Sequence, residues 1–419
     1  MSAVRPSRRG VLTSAAVVGA AGIGAGVSAV ASRPAAAGSP TASRTVPFHG
    51  TRQAGVTTPA QDSLVFAALD VTTKRAGDLA DVLQRWSAAA ATMTTGVPVG
   101  GPGGLGGAGD EPPQDTGEAH ELPAANLTVT LGYGPSLFDE RFGLADRRPA
   151  ALEELPALPG EQLDPTKVGG DLCLQACADD PQVAFHAVRN LVRIGRGTVR
   201  VRWMQLGFGR TSTTSTTQST PRNLMGFKDG TANLRAEDTA DLEKFVWVGG
   251  QGAPAADQDW MRGGTYLVAR RIRMLIESWD RASLGEQERV IGRAKESGAP
   301  LSGTQEFDAL DLDKTVHGKP AIDVAAHVRL AAPDTNGGVK MLRRGYSYTD
   351  GLDVATGQLD AGLFFIVFGN DPHQQFVPVQ RRLGTHDALT EYLKHTGSGI
   401  FACPPGVQRD GAWGEGLFI

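Results

Sequence analysis

The chain has 419 residues, 41% of them hydrophobic, and this length favours two domains. Its 41 basic and 45 acidic residues give a formal net charge of -4, which excludes recognition of nucleic acid or of an anionic membrane by overall positive charge. The 54 glycines and 25 prolines, with only 6% aromatic residues, predict many turns and long connections rather than a helical bundle.

Residues 1–37 are predicted to be an export signal. Arg8 and Arg9 lie in the run SRRGVL, which matches the twin-arginine pattern, and the apolar segment from 13 to 31 is too rich in small residues for a membrane span. The alternative is an ordinary secretory signal whose positive start contains two arginines. Because the twin-arginine route carries folded proteins, we expect cofactor loading before passage through the twin-arginine translocon. The expected location is secreted or cell-envelope, with no stable membrane span in the mature protein.

The elements predicted after a flexible tether, residues 38–47, have the order strand, helix, strand, strand, helix, strand. Apolar runs with a two-residue period predict the strands, and apolar positions three and four apart predict the helices. The predicted strands cover residues 62–71, 126–134, 171–178 and 199–209, and the predicted helices cover 75–93 and 181–195. A Gly/Pro-rich stretch, 96–119, is predicted to be a loop that carries no chemistry.

The second half repeats this order in outline. A Ser/Thr-rich passage leads into it, and the predicted elements are a strand running into a helix over 264–279, short strands at 325–331 and 341–348, a strand at 362–369 and a helix at 385–399. The repeat predicts an α+β fold of two ferredoxin-like domains with antiparallel sheets and outer helices, of the dimeric α+β barrel type. The predicted domains are 48–222 and 223–419.

The three cysteines do not form a disulfide framework, because their number is odd. Cys173 and Cys177 lie four residues apart on a predicted strand, which is too far for a disulfide, so we expect both to be small buried hydrophobic residues. Cys403 stands alone. The sequence has no closely spaced His/Cys cluster, which argues against a structural zinc site.

The segment NLMGFKDGTANL, residues 223–234, contains the first candidate for chemistry. Asp229 followed by Gly230 is a common turn dipeptide, so a plain turn is one interpretation. The other is that the glycines let the backbone approach a flat cofactor while the Asp229 carboxylate faces a ligand site. Local sequence leaves both open.

His327 is the one of eight histidines that lies in an apolar run, AIDVAAHVRLAAP. A buried core histidine is one interpretation of such a residue. If the run is a strand, His327 shares a face with Arg329, which suits an iron ligand beside a partner for a haem propionate. His317 lies in a polar loop and is predicted to be a surface residue.

Arg343 and Arg344 lie side by side in the predicted strand MLRRGYSY. Neighbouring residues of a strand point to opposite faces, so only one of the two arginines can face a given pocket.

Together these segments resemble one family. GFKDGTANL, AHVRLAAP, MLRRGYSY and GLFFIVFGNDP occur in the order found in dye-decolourising peroxidases, especially their exported bacterial branch, and the resemblance runs from Gln53 to the WGEGLF ending. It implies haem b (iron protoporphyrin IX) as cofactor, held mostly by the C-terminal domain. The expected substrates are hydrogen peroxide and a small-molecule reductant such as a dye or a phenolic compound.

The resemblance also assigns roles to individual residues. His327 would be the iron ligand, Asp229 the acid/base for peroxide, and Arg343, the first of the pair, the group that stabilises developing negative charge. Gly230 and Thr231 beside Asp229 would be further cofactor contacts, together with Arg329.

Three other functions remain open at this stage: release of iron from haem, haem carriage without catalysis, and a ferredoxin-like protein without haem. Asp229 and Arg343 argue against a carrier, because a carrier needs no proton transfer. A dye-sized donor cannot fit beside a peroxide site, so electron transfer through surface aromatic residues is expected, with Tyr348 and Trp279 as candidates. Packing residues are the alternative interpretation of both.

Overall fold

The computed structural model describes residues 44–418. The predicted export signal and the first part of the tether therefore lie outside the described residues. Within residues 44–418, no helix is both long and apolar enough to cross a membrane.

The described chain alternates strands and helices, joined by turns and short 3-10 segments. The strands are β1 (Ser63–Val71), β2 (Thr128–Tyr133), β3 (Leu172–Ala178), β4 (Val199–Arg210), β5 (Thr265–Met274), β6 (Thr315–Val316), β7 (Lys319–Pro320), β8 (Leu342–Arg343), β9 (Tyr346–Asp353), β10 (Gln358–Gly369) and β11 (Leu393–Cys403). The helices are α1 (Ala76–Met93), α2 (Pro181–Ile194), α3 (Thr239–Phe245), α4 (Ile276–Trp279), α5 (Leu284–Ile291), α6 (His327–Ala331) and α7 (Phe376–His386).

Eight long strands close into an antiparallel barrel, as the repeat predicted. The first half gives four strands in the order β4-β1-β3-β2, and the second half gives β11-β5-β10-β9, which is the same ferredoxin-like order. The two sheets join where β2 pairs with β11 and where β4 pairs with β9. Strand β8 adds to the barrel by pairing with β10. The α+β fold prediction is therefore confirmed.

Strands β1, β2 and β3 are buried along almost their whole length because both of their faces are covered. On β1, Phe66 points into the barrel interior and meets Phe364 and Phe401, while the neighbouring Val65 points outward into the core formed with α1 and α2. Successive strand side chains alternate between faces, so burial of both faces produces a continuous apolar run rather than an alternating one.

The interior of the barrel also contains the cysteines. Cys173, Cys177 and Cys403 are free thiols with no exposed surface, and all three belong to the interior cluster. The prediction that Cys173 and Cys177 are buried hydrophobic residues is confirmed.

The prediction of a strand at 325–331 is wrong, because residues 327–331 form helix α6. The run AAHVRLA contains three alanines and a leucine, which favour helix. Asp323 accepts a hydrogen bond from the backbone N–H of Ala325 at 2.9 Å just before the helix begins. Pro333 follows the helix, and the residue before a proline is disfavoured in helical conformation.

The predicted helix at 385–399 is also wrong. Helix α7 ends at His386, a 3-10 turn covers Ala388–Tyr392, and β11 begins at Leu393. Strand β11 pairs with β5 from Leu393 to Cys403, so the sheet partner overrides the local helical pattern. Gly397 suits the strand because a β-carbon there would lie 3.0 Å from the carbonyl oxygen of Lys167.

The Gly/Pro-rich stretch 96–119 packs on α2 through one carboxylate. Asp115 accepts hydrogen bonds from the backbone N–H groups of Val99 and Gly117, both at 2.7 Å, and its Oδ1 lies 2.9 Å from Nε2 of His186 on α2. The side chain of Asp115 is 1% exposed. The stretch of low-complexity composition is thus a loop that is fixed to helix α2 of the first half.

A second buried carboxylate joins three segments of the first half. Asp171 accepts hydrogen bonds from the backbone N–H of Val71 at 2.8 Å, from Ser136 Oγ at 2.7 Å and from Arg141 Nη2 at 3.1 Å. Burial alone would raise the pKa of Asp171, but the bonds from Arg141, Ser136 and Val71 outweigh it, so the pKa is lowered.

Asp171→Asn is expected to lower the free energy of unfolding by about 2 kcal/mol at neutral pH, because the amide offers Arg141 no negative charge and leaves some of the surrounding donors without an acceptor. A lowered folded-state pKa means that the ionised carboxylate stabilises the fold above its unfolded value of about 3.9 and loses this effect as the pH falls through the folded value. Denaturant unfolding should therefore show a smaller difference between variant and wild type at about pH 2 than at neutral pH. Asp139→Asn removes the more exposed carboxylate beside Arg141 and is the control; equal losses in both variants would contradict the prediction.

Candidate active site

Asp229 lies in a sharp turn of the segment that leads from the first half of the barrel to the second. The backbone N–H of Asp229 donates to the carbonyl of Pro221 at 2.9 Å. Gly230 has a φ of +98°, and a β-carbon at this position would lie 2.8 Å from the Cα of Ser212. Glycine is therefore required here by both the conformation and the close approach of the two backbones.

The Asp229 carboxylate forms an ion pair with Arg343. Arg343 Nη1 donates to Asp229 Oδ1 at 2.8 Å, and the side chain of Asn223 donates to Asp229 Oδ2 at 3.3 Å. The side chains of Asp229 and Arg343 are 15% and 32% exposed, so both keep surface that a ligand can reach. Two residues that are 114 positions apart are thus brought together by the fold.

Strand β8 separates the two neighbouring arginines, as the alternation of strand side chains predicted. Arg344 has no exposed surface and donates to the carbonyl of Thr58 and to the side chain of Gln61, on the first half of the chain. Arg343 points outward, on the same side as Val367 of β10. Only Arg343 reaches Asp229.

Asn233 fixes the backbone at Arg343, and sequence reasoning did not single it out. Its side-chain oxygen accepts from the Arg343 N–H at 2.8 Å, and its side-chain nitrogen donates to the Arg343 carbonyl, also at 2.8 Å. The same nitrogen donates to the carbonyl of Thr213 at 2.8 Å. Asn233 lies four residues after Asp229, so one short segment supplies both the carboxylate and the support for its arginine.

Glu306 holds the turn that carries Asp229. Lys228 and Thr231 flank Asp229 and Gly230, and both bind the Glu306 carboxylate, Lys228 through an ion pair and Thr231 through its hydroxyl at 3.2 Å. Burial raises the pKa of Glu306, but the bonds from Lys228 and the threonine hydroxyls outweigh it and the pKa is lowered. No motif in the sequence pointed to Glu306.

His327 is the first residue of α6, and its ring is fixed by Asp387. His327 Nδ1 lies 2.7 Å from Asp387 Oδ2. The other oxygen of Asp387 accepts from the backbone N–H of Leu389 at 2.9 Å, and the Asp387 side chain is only 3% exposed. No motif in the sequence pointed to Asp387 as the partner of His327.

The electrostatics join His327 to the Asp229–Arg343 pair. Burial lowers the pKa of His327, but the charge and hydrogen bond of Asp387 outweigh it, and the pKa is raised. The charge of Asp229 raises the same pKa and that of Arg343 lowers it. The charges of Asp229 and Arg343 therefore act on the His327 imidazole in opposite directions.

Arg329 does not share a face with His327. Residues two apart on a helix point in nearly opposite directions, and Arg329 Nη1 donates to the carbonyls of Leu312 at 2.8 Å and Ile322 at 3.3 Å. The reason for expecting Arg329 beside the iron ligand is therefore wrong.

Tyr348 and Trp279 are buried, so neither is a surface aromatic residue. Tyr348 is 0% exposed and lies in the barrel interior, where Arg271 stacks on its ring at 4.3 Å. Trp279 is 1% exposed, and its indole N–H donates to the carbonyl of Met225 at 3.0 Å. Trp279 therefore supports the segment that carries Asp229.

The residues present fit a haem. Nε2 of His327 has no hydrogen-bond partner among residues 44–418, and 34% of the side chain is accessible, as an iron ligand would require. Leu363 and Phe365 lie on the same outer face of β10 as Val367, the strand partner of Arg343, and both are only partly buried. An apolar surface, an available imidazole and an accessible ion pair suit a flat iron porphyrin.

Comparison with known proteins identifies the family of this chain. A family model described as Dyp-type peroxidase, N-terminal, matches residues 53–209, and one described as Dyp-type peroxidase, C-terminal, matches residues 220–408. The deferrochelatase of Escherichia coli K12 is 39% identical over 375 residues, covering 86% of this chain and 84% of the relative.

Solved structures give the same result. Ferric DtpA from Streptomyces lividans is 41% identical, with a TM-score of 0.80, over 90% of this chain and 97% of that chain. A DyP-type peroxidase from Cellulomonas bogoriensis is 38% identical, with a TM-score of 0.78, over 90% of this chain and 98% of that chain. With both family models matched and close relatives covered over most of their length, the chain belongs to the Dyp-type peroxidase family.

Proposed function

We propose that this protein is a haem b peroxidase that reduces hydrogen peroxide and oxidises dyes, phenolics or similar electron donors. The observation that carries the proposal is the Asp229–Arg343 ion pair, together with the accessible imidazole of His327 that Asp387 holds through Nδ1. A carboxylate that can move a proton and a fixed cation are the two groups that cleavage of a peroxide bond requires.

When bound, haem supplies an iron centre that cleaves the peroxide O–O bond and takes up two oxidising equivalents. His327 would hold the iron through Nε2. Asp387 fixes the orientation of the imidazole through Nδ1 and increases its electron donation, because a carboxylate partner makes a ligating histidine more basic.

Asp229 would move the proton. Its Oδ1 is occupied by Arg343, whereas Oδ2 has only the long bond from Asn223. Oδ2 is therefore the oxygen that takes a proton from one peroxide oxygen and returns it to the other, which leaves as water.

Arg343 would stabilise negative charge. Nη1 is held by Asp229, while Nε and Nη2 have no hydrogen-bond partner among residues 44–418. A guanidinium remains charged at any relevant pH, so these N–H groups can bind the leaving oxygen as its negative charge develops.

The finer assignments belong to the same proposal. Gly230, Thr231 and Arg329 would be further haem contacts, although the hydroxyl of Thr231 is already used by Glu306. We also propose domains at 48–222 and 223–419, and export through the twin-arginine translocon to the cell envelope or beyond.

Release of iron from haem is the second candidate, because the matched Escherichia coli relative is named a deferrochelatase. The two functions predict different products. A peroxidase oxidises the donor and keeps its haem, whereas iron release leaves free protoporphyrin.

The holoenzyme with hydrogen peroxide and an anthraquinone dye is expected to bleach the dye without releasing porphyrin, measured by absorbance and porphyrin fluorescence. Asp229→Asn should keep the haem and react with peroxide at least about 100-fold more slowly, since the proton shuttle is lost. Asp238→Asn, an exposed aspartate in the same segment, is the control. An intact dye with accumulating protoporphyrin would overturn the peroxidase proposal in favour of iron release.

His327→Ala is expected to remove the protein's iron ligand and to lower haem content, measured by titrating apoprotein with haem at the Soret band. Asp387→Asn should retain the histidine ligand but bind haem about 10- to 100-fold more weakly, because the imidazole loses its fixed orientation. His317→Ala is the control. The ligand assignment fails if His327→Ala keeps a full haem complement with unchanged ligation.

Glu306→Gln is expected to slow the reaction with peroxide by about tenfold while haem affinity stays unchanged, because Asp229 loses the support of its turn but not its charge. In a Lys228→Met background, Glu306→Gln should have a much smaller effect, since the ion pair is already broken. Asp308→Asn is the control, because this nearby carboxylate binds Thr304 and Gln305 and has no hydrogen bond to the turn of Asp229 among residues 44–418. Equal rates of reaction with peroxide for Glu306→Gln and Asp308→Asn would contradict the positioning role of Glu306.

A further inference from the structure

A groove of about 630 Å³ lies along α7 where this helix meets α6. Its apolar residues are Leu330 of α6 with Val377 and Pro378 of α7. We call it the α6–α7 groove. Its size suits one aromatic molecule rather than a protein segment.

The polar part of the groove is positively charged. Arg381 and Arg382 lie four residues after Val377 and Pro378, so each arginine stands next to an apolar residue on the helix surface. Both arginines are exposed, and neither forms an ion pair within residues 44–418. The groove lining contains no aspartate or glutamate.

Some other exposed arginines have carboxylate partners. Arg289, for example, pairs with both Glu286 and Asp323. Two neighbouring arginines without a carboxylate, on a chain of formal net charge -4, form a local positive site that attracts an anion. An arginine pair binds carboxylate or sulfonate groups well because its N–H groups match their oxygens in geometry.

Both helices that line the groove, α6 and α7, are connected to His327. Leu330 lies three residues after His327 and therefore on the same side of α6. Helix α7 ends one residue before Asp387, which holds the His327 ring. A donor in the groove would be near the iron-ligating histidine without entering the site of Asp229 and Arg343.

We propose that the α6–α7 groove binds the reducing substrate, and that this substrate is a flat aromatic donor with a carboxylate or sulfonate group. The ring would lie on Leu330, Val377 and Pro378, and the anionic group would bind Arg381 and Arg382. The inference rests on the proposed peroxidase function. Each donor gives one electron and one proton, so that H₂O₂ + 2 ArOH yields 2 H₂O + 2 ArO•.

The test compares two donors on the reconstituted holoenzyme, a sulfonated anthraquinone dye and the uncharged 2-methoxyphenol. In R381E/R382E, the KM for the dye should rise about tenfold relative to the KM for the phenol, equivalent to about 1.4 kcal/mol. With wild type, the KM for the dye should also rise between about 0.01 M and 0.15 M salt, because the Debye length shortens from about 30 to 8 Å. Calorimetry of dye binding to the resting holoenzyme measures the same site without turnover.

R196E/R409E is the matched control, because it changes two exposed arginines outside the groove and alters the net charge equally. The inference is overturned if the control and the groove variant shift the KM and the dissociation constant of the dye alike. It is also overturned if R381E/R382E weakens haem binding but not dye binding, since the groove would then hold the carboxylates of haem itself. If wild type oxidises neither donor, the peroxidase proposal fails, while dye binding by calorimetry still decides whether the groove binds anions.

Discussion

The closure of two four-stranded sheets into one barrel is the constraint on which the site depends. The hydrogen bonds between β4 and β9 bring the end of the first half against the strand pair that follows Arg343. The chain that crosses from one half to the other then carries Asp229 and Asn233, and the N–H of Thr211 in this crossing donates to the carbonyl of Gly345 at 2.9 Å. The crossing segment is therefore fixed by backbone hydrogen bonds before any ligand is bound.

The charged groups of the site are held in place by two separate sets of contacts. On one side, Asp229 and Arg343 neutralise each other, and Asn233 and Glu306 hold the segments that carry them. On the other side, His327 is held by the buried Asp387. Each functional group thus has a partner that fixes its direction, which suits chemistry whose groups must be in place when the substrate arrives.

The sequence predicted the secondary structure well where apolar patterns were long. It did so less well where pairing with a distant strand determined whether a segment formed a helix or a strand. The first-half strands and helices follow their patterns closely, because each buries a continuous face. The local pattern of residues 385–399 predicts a helix, but the second part of this segment pairs with β5 and forms a strand. The short run around His327 is too brief for its period to distinguish strand from helix.

The same distinction applies to the candidate site. Asp229, His327 and Arg343 lie in recognisable sequence motifs, so they could be predicted as candidates from the sequence. Asp387 and Glu306 could not be found in this way, since their roles depend on contacts with residues 60 and 78 positions away. Groups that orient others act through the folded geometry, and a single sequence does not display that geometry.

The buried Arg344 has a consequence for the alignment of β8. Suppose that this strand slipped by one position along β10, so that Arg344 took the outward place of Arg343. An arginine would still face Asp229. Inside the barrel, however, Gly345 would replace the guanidinium that binds Thr58 and Gln61. The pocket alone would tolerate that error. Arg344 has no role towards peroxide, but it favours the correct alignment, because only there does its guanidinium donate to Thr58 and Gln61 of the first half.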